Sequence, residues 1–85
     1  MKHTVFELQI HAQRVCVDQE MVIICFPDGR QIRFPITANR KLREATPAQR
    51  ANVELICEGT GLHWPDLDED LSLVGIMEGR FGSSS

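Results

Sequence analysis

Apolar and polar positions alternate through the first half of the chain. Over residues 4–10, Phe6, Leu8 and Ile10 fall on one side and Glu7, Gln9 and His11 on the other, the pattern of a half-buried strand at a sheet edge. Arg14-Val15-Cys16-Val17 is a second short run, and Asp18-Gln19-Glu20 breaks it as a turn in which Asp18 can accept from the backbone ahead of it. Met21 to Phe26 is apolar on both faces, which predicts a strand in the middle of a sheet. Asp28-Gly29 then stands between two strand-like runs, a hairpin signal because Gly takes the positive φ of a tight turn. Gln31 to Ile36 is the return strand, with Ile32, Phe34 and Ile36 inward; Pro35 has no N–H, so the strand ends or lies at an edge there.

Helical spacing follows. Thr37 can cap a short helix running to about Ala45, with Leu42 and Ala45 on one side. Thr46-Pro47-Ala48-Gln49 is a stronger start, with Thr46 as N-cap, Pro47 at the first helical position and Gln49 closing a capping box. Ala48, Ala51, Asn52 and Leu55 would share the face of that helix that approaches the sheet. Val53 to Cys57 reads equally as helix end or strand start. Gly59-Thr60-Gly61 terminates it, and Pro65 holds Leu62-His63-Trp64 extended. Ser72 can cap a last helix over about Leu73 to Glu78, with Gly79 as its left-handed stop and Leu73, Ile76 and Met77 as its apolar stripe. Phe81 can still pack. These elements predict one α+β domain over residues 1–82, a small antiparallel sheet of three to four strands with two to three short helices, and a frayed tail over 83–85.

Composition narrows the class. Eighty-five residues, 42% hydrophobic and 25% charged, make one globular domain burying roughly 60–65% of its unfolded surface. No apolar run approaches the roughly 20 residues of a membrane span, and the amino terminus reads as a strand and not as a signal core, so the expected location is cytoplasmic. Cys16, Cys25 and Cys57 are scattered and odd in number, the usage of reduced, mostly buried thiols. Charge is unevenly placed. Residues 1–50 carry eight basic and five acidic side chains, and residues 51–85 carry one basic and seven acidic. Either the two halves pack and neutralise each other, or the acidic half meets a basic partner.

Candidate chemistry concentrates in Gly61-Leu62-His63-Trp64-Pro65-Asp66-Leu67-Asp68-Glu69-Asp70-Leu71-Ser72, which holds the one Trp and four of the twelve acidic residues. Asp66-x-Asp68-x-Asp70 invites a calcium reading, but counting from Asp66 the sixth and twelfth positions are Leu71 and Met77, where the calcium loop needs Gly and Glu. No metal site or cofactor is expected. The acids more simply turn the chain, accept backbone N–H groups, or pair with Arg40, Lys41, Arg43 or Arg50. His63 stands without a second His or Cys at ligand spacing. Its ring is expected to bond a carbonyl or a following acid beside a packed Trp64. No nucleophile elbow, phosphate loop or His-Glu-x-x-His motif occurs, so no enzyme is expected. Arg40, Lys41, Arg43 and Arg50 form a local basic patch. The net charge of −3 and the sparse aromatics argue against a nucleic-acid interface for this chain alone.

The blocks Ala45-Thr46-Pro47-Ala48-Gln49-Arg50-Ala51-Asn52 and Gly61 to Ser72, with the Asp28-Gly29-Arg30-x-Ile32-x-x-Pro35 hairpin ahead of them, resemble a small bacterial family, the domain of unknown function 2442. The resemblance covers nearly the whole chain and implies a compact α+β domain with no activity to carry over. Some members are encoded beside a second small protein in the manner of toxin–antitoxin pairs, and others precede a helix-turn-helix domain, which is not expected here. Ala38, Asn39 and Val53 stand where members often have aromatics, and Cys57-Glu58 where they have glycines, changes that alter any partner face in those places. The reading is a non-catalytic protein-interaction or regulatory module, an antitoxin-like member of a two-gene pair. Its partner would be another small, basic protein contacting His63, Trp64, Asp66, Asp68, Glu69 and Asp70. The alternative is a nucleic-acid-associated transcriptional regulator using the basic patch.

Overall fold

The computed structural model describes residues 11–82; the strand expected over 4–10 and the tail over 83–85 lie outside them. The hairpin signals resolve into a first sheet of three antiparallel strands, β1 (Arg14–Val17), β2 (Met21–Cys25) and β3 (Gln31–Pro35), with β2 central. Period-two alternation puts the rows Val15–Ile24–Ile32 and Val17–Val22–Phe34 on one face. Val22, Ile24 and Phe34 there lose nearly all solvent contact. Asp18 Oδ1 accepts from the Glu20 and Met21 N–H groups at 2.8 and 2.7 Å, which makes the first turn. Gly29 makes the second with φ +93.

β3 stops at Pro35, and a 3-10 turn over Ile36–Ala38 follows. Thr37 lies inside that turn, so it does not cap the next helix. Asn39 does: its backbone is extended and its Oδ1 accepts from Leu42 N–H at 2.9 Å, starting α1 (Arg40–Arg43). The predicted capping box opens α2 (Pro47–Ala51), with Gln49 N–H on Thr46 Oγ1 at 3.1 Å and Thr46 N–H on Gln49 Oε1 at 3.0 Å. The expected alanine face does not form. α2 has five residues and buries none of them, and Ala48, Ala51 and Asn52 are exposed. Asn52 leaves the helical region, so Leu55 falls in a strand and never joins the helix face.

The second sheet holds β4 (Glu54–Ile56), β5 (Gly61–Trp64) and β6 (Glu69–Ser72), antiparallel with β5 central. The α+β class therefore holds, with six described strands divided between two three-stranded sheets. Leu55, Leu62 and Leu71 form one inward row, and Trp64 pairs Glu69 in the next. Between β4 and β5 the chain turns through Cys57, Glu58 and Gly59, all at positive φ. Gly59 accepts from Ala12 N–H at 2.8 Å, and a Cβ there would lie 2.6 Å from the Ala12 carbonyl oxygen. Close approach and positive φ together require glycine.

Ser72 Oγ accepts from Gly75 N–H at 2.9 Å and opens α3 (Leu73–Met77); Gly79, at φ +87, follows it as expected. Leu73 and Ile76 enter the core, whereas Met77 is 49% exposed and Val74 55%, so the stripe is one residue narrower than the spacing suggested. One apolar cluster joins α1, α3 and both sheets through Val22, Ile24, Phe34, Leu42, Trp64 and Leu73, and Phe81 packs on Phe34 with ring centroids 5.0 Å apart. Only Cys25 of the three free thiols is buried; Cys16 and Cys57 are exposed, against the expectation of mostly buried cysteines. No helix of the described residues is long and apolar enough to cross a membrane.

Candidate functional site

β5 alternates sides, so Leu62 and Trp64 point into the core and Gly61 and His63 face outward. Trp64 has no exposed surface, and its Nε1–H donates to the Arg50 carbonyl at 2.9 Å. Arg50 in turn donates from Nε to the Leu42 carbonyl at 2.7 Å and from Nη2 to the Arg43 carbonyl at 2.9 Å. One arginine thus closes the carbonyl end of α1 and receives the indole, fixing β5 against the helical segment.

After Trp64 the chain makes a 3-10 turn over Pro65–Leu67 and passes through Asp68 in the left-handed region, φ +53. This reverses direction so that β6 runs back along β5. Glu69 then points inward, 7% exposed. Asn39 Nδ2 donates to its Oε2 at 2.7 Å, and Lys41 Nζ lies 3.6 Å from Oε1. The same Asn39 amide donates to the Phe81 carbonyl at 2.7 Å. A fully buried asparagine therefore ties α1, β6 and the carboxyl-terminal segment together, and the buried carboxylate is paired.

The outer face of the second sheet carries the cross-strand row Glu54–His63–Asp70. His63 Nδ1 donates to the Asp70 carboxylate. That bond is the largest influence holding the imidazole above its ordinary pKa; partial desolvation opposes it, and the charges of Asp70, Glu54 and Asp68 add to it. Asp66 and Asp68 are exposed at the adjoining corner, where Asn52 Nδ2 donates to Asp66 at 3.0 Å and Lys41 Nζ to the Asp68 carbonyl at 3.0 Å.

Of the six residues expected to meet a partner, His63, Asp66, Asp68 and Asp70 reach the surface together. Trp64 and Glu69 do not; they are core and frame, because each has an internal partner that water would otherwise supply. The basic residues do not gather into one free patch. Arg40 is exposed, Arg43 donates to the Thr37 carbonyl at 3.3 Å, and Lys41 and Arg50 serve the contacts just described. Two residues escaped the sequence reading. Glu54 joins the His63 row through strand register, which its short polar-apolar-apolar run does not announce. Asn39 is the buried tie, and no local pattern marks it. Among the described residues no three His, Cys, Asp or Glu side chains converge as metal ligands. A groove of about 320 Å³ lies elsewhere, between the β1–β2 turn and the start of α2, lined by Val17, Asp18, Gln19, Pro47 and Arg50.

The family model described as protein of unknown function (DUF2442) matches residues 12–82. No match emerges among curated proteins. A crystal structure of a protein of unknown function from Rhodospirillum rubrum ATCC 11170 superposes with a TM-score of 0.78 at 37% identity, covering 87% of this chain and 92% of that one. A solution structure of an uncharacterised protein from Chromobacterium violaceum gives 0.78 at 25% identity, covering 96% and 77%. On the span of the family match, with the same fold carried at 37% identity, the chain belongs to the DUF2442 family.

Proposed function

We propose that this protein is a cytoplasmic, non-catalytic interaction module, the antitoxin-like regulatory member of a two-gene pair, acting by stoichiometric binding of a small basic protein. The observation that carries the reading is the exposed acidic row Glu54–His63–Asp70, continued by Asp66 and Asp68, on a sheet whose back is locked by Trp64 and Glu69. A rigid face presenting carboxylates steers a cationic partner and fixes its register. His63 suits this role better than catalysis, since its ring lies on an open sheet face with Nδ1 engaged, and not in the groove beside Pro47.

The test is capture from the native host with wild-type protein and with Glu54→Gln/Asp70→Asn. The expected outcome is one small basic protein, encoded by the adjacent gene, toxic when expressed alone and neutralised by co-expression. Capture should weaken in the double variant and at high salt. Recovery of no specific protein together with a harmless neighbouring gene would remove the proposal.

A further inference from the structure

The opposite sheet carries a face that fits this one. We propose that a second copy of this chain is a basic partner of the acidic face, with the outer face of its first sheet seated on the outer face of the second sheet. The inference rests on the acidic face being a docking surface, as proposed above, and names a partner for it.

The register places Arg14, Cys25 and Gln31 in one outward row of the first sheet, and Cys16, Ile23 and Arg33 in the next. These rows hold two arginines, both exposed, and no carboxylate. Asp18, at the β1–β2 turn, is near enough for Arg33 to act on it; its carboxyl is held below the ordinary value mainly by the Glu20 and Met21 N–H groups, with Arg33 adding to them. The side chains touch one another across the sheet. Arg14 Nη2 is 3.6 Å from Cys25 Sγ, Gln31 Nε2 is 3.7 Å from it, and Arg33 donates to Gln31 Oε1 at 3.1 and 3.3 Å. Ile23 is half-buried at the centre.

The outer face of the second sheet inverts this layout. Glu54 and Asp70 stand on the two outer strands, with His63 and Gly61 on the central one and Ile56 over Gly61, its Cγ1 3.1 Å from where a Cβ would stand. On both faces the charged pair straddles one central strand, so each pair is about 9.5 Å wide, two strand spacings. Across the strands the widths match; on the diagonal Arg14 and Arg33 stand about 12 Å apart, an excess of a few ångströms that the long arginine side chains take up so that each guanidinium can meet one carboxylate. Glu54 and Asp70 share a row, whereas Arg14 and Arg33 sit two residues apart along the strands, about 7 Å. Laying the diagonal pair over the straight one turns one sheet about 35° against the other, close to the roughly 30° at which aligned sheets pack. Ile23 then meets the His63–Gly61 strip beside Ile56. Strands of three to four residues make a face about 10 Å across by about 13 Å long, well under the about 800 Å² per partner of a standard stable interface, so the association is weak and salt-sensitive. The two contacting faces differ, so the contact is heterologous and a pair leaves one face of each kind open unless a second contact closes it.

Sedimentation velocity at several hundred micromolar in low salt tests this, with circular dichroism confirming that each variant is folded. Wild type should associate with rising concentration and return to monomer at high salt. Arg14→Glu/Arg33→Glu, which makes both faces acidic, and Glu54→Arg/Asp70→Arg, which makes both basic, should each be monomeric alone and associate when mixed. The milder Arg14→Gln/Arg33→Gln and Glu54→Gln/Asp70→Asn pairs should lose self-association without charge reversal. A wild type that stays monomeric, association unchanged in the neutralised variants, or a mixture that fails to associate would overturn the proposal. If a host protein is still captured through Glu54 and Asp70 while wild type is monomeric, self-pairing falls and the interaction-module reading stands. If capture ignores those residues while self-association needs them, the reverse holds.

Discussion

Three side chains carry disproportionate weight. Trp64 fills the core and spends its N–H on Arg50. Trp64→Phe removes that donor and leaves a void, and should lower stability by about 2–4 kcal/mol in urea denaturation followed by circular dichroism. Asn39 combines a helix cap with two donations from its amide. Asn39→Ala should cost about 2–4 kcal/mol, part from the cap and part from leaving Glu69 without its closest donor. Asn39→Asp keeps the cap oxygen but turns a second acceptor toward Glu69. Its melting temperature should fall below that of Asn39→Ala at neutral pH and recover as the solution is acidified. His63 is held above its ordinary pKa chiefly by the bond to Asp70. A raised folded-state pKa means that its contribution to stability is fully present below the unfolded value near 6.5 and is lost as pH rises through the folded one. Asp70→Asn should bring the His63 proton-NMR titration down toward the ordinary value and flatten that part of the stability profile.

At the scale of elements, local signals worked where a single residue's chemistry decides the backbone. Asp18, Asp28-Gly29, the Thr46–Gln49 box and Ser72 each act within three residues of themselves, and each does what its spacing predicts. α2 has no buried residue, so its capping box and the Arg50 contacts hold it in place. Thr46→Ala should cost about 1 kcal/mol and speed amide hydrogen exchange at Gln49 and Arg50 more than in either sheet. Periodicity misled where an element was too short to use it. Ala48, Ala51 and Leu55 have helical spacing, but the helix ends at Ala51. β6 went unrecognised because Glu69 at an inward position contradicts the usual placement of carboxylates. Asn39 and Lys41, about thirty positions earlier, make that burial acceptable.

For the whole molecule, the uneven charge becomes two sheet faces of opposite sign, with arginines on the first and carboxylates on the second. That arrangement is what both the interaction-module reading and the self-pairing inference draw on. The amino-acid sequence by itself determined the α+β class, most turns and caps, the central position of β2 and the grouping of acids after His63-Trp64, because alternation, turn chemistry and capping act over a few residues. The tertiary structure alone decided which of those residues remain at the surface. Trp64 and Glu69 went inside and His63, Asp66, Asp68 and Asp70 stayed out, since burial depends on partners such as Arg50 and Asn39 that the fold brings from distant positions. It also brought Glu54 beside His63, a pairing set by strand register, which no local pattern encodes.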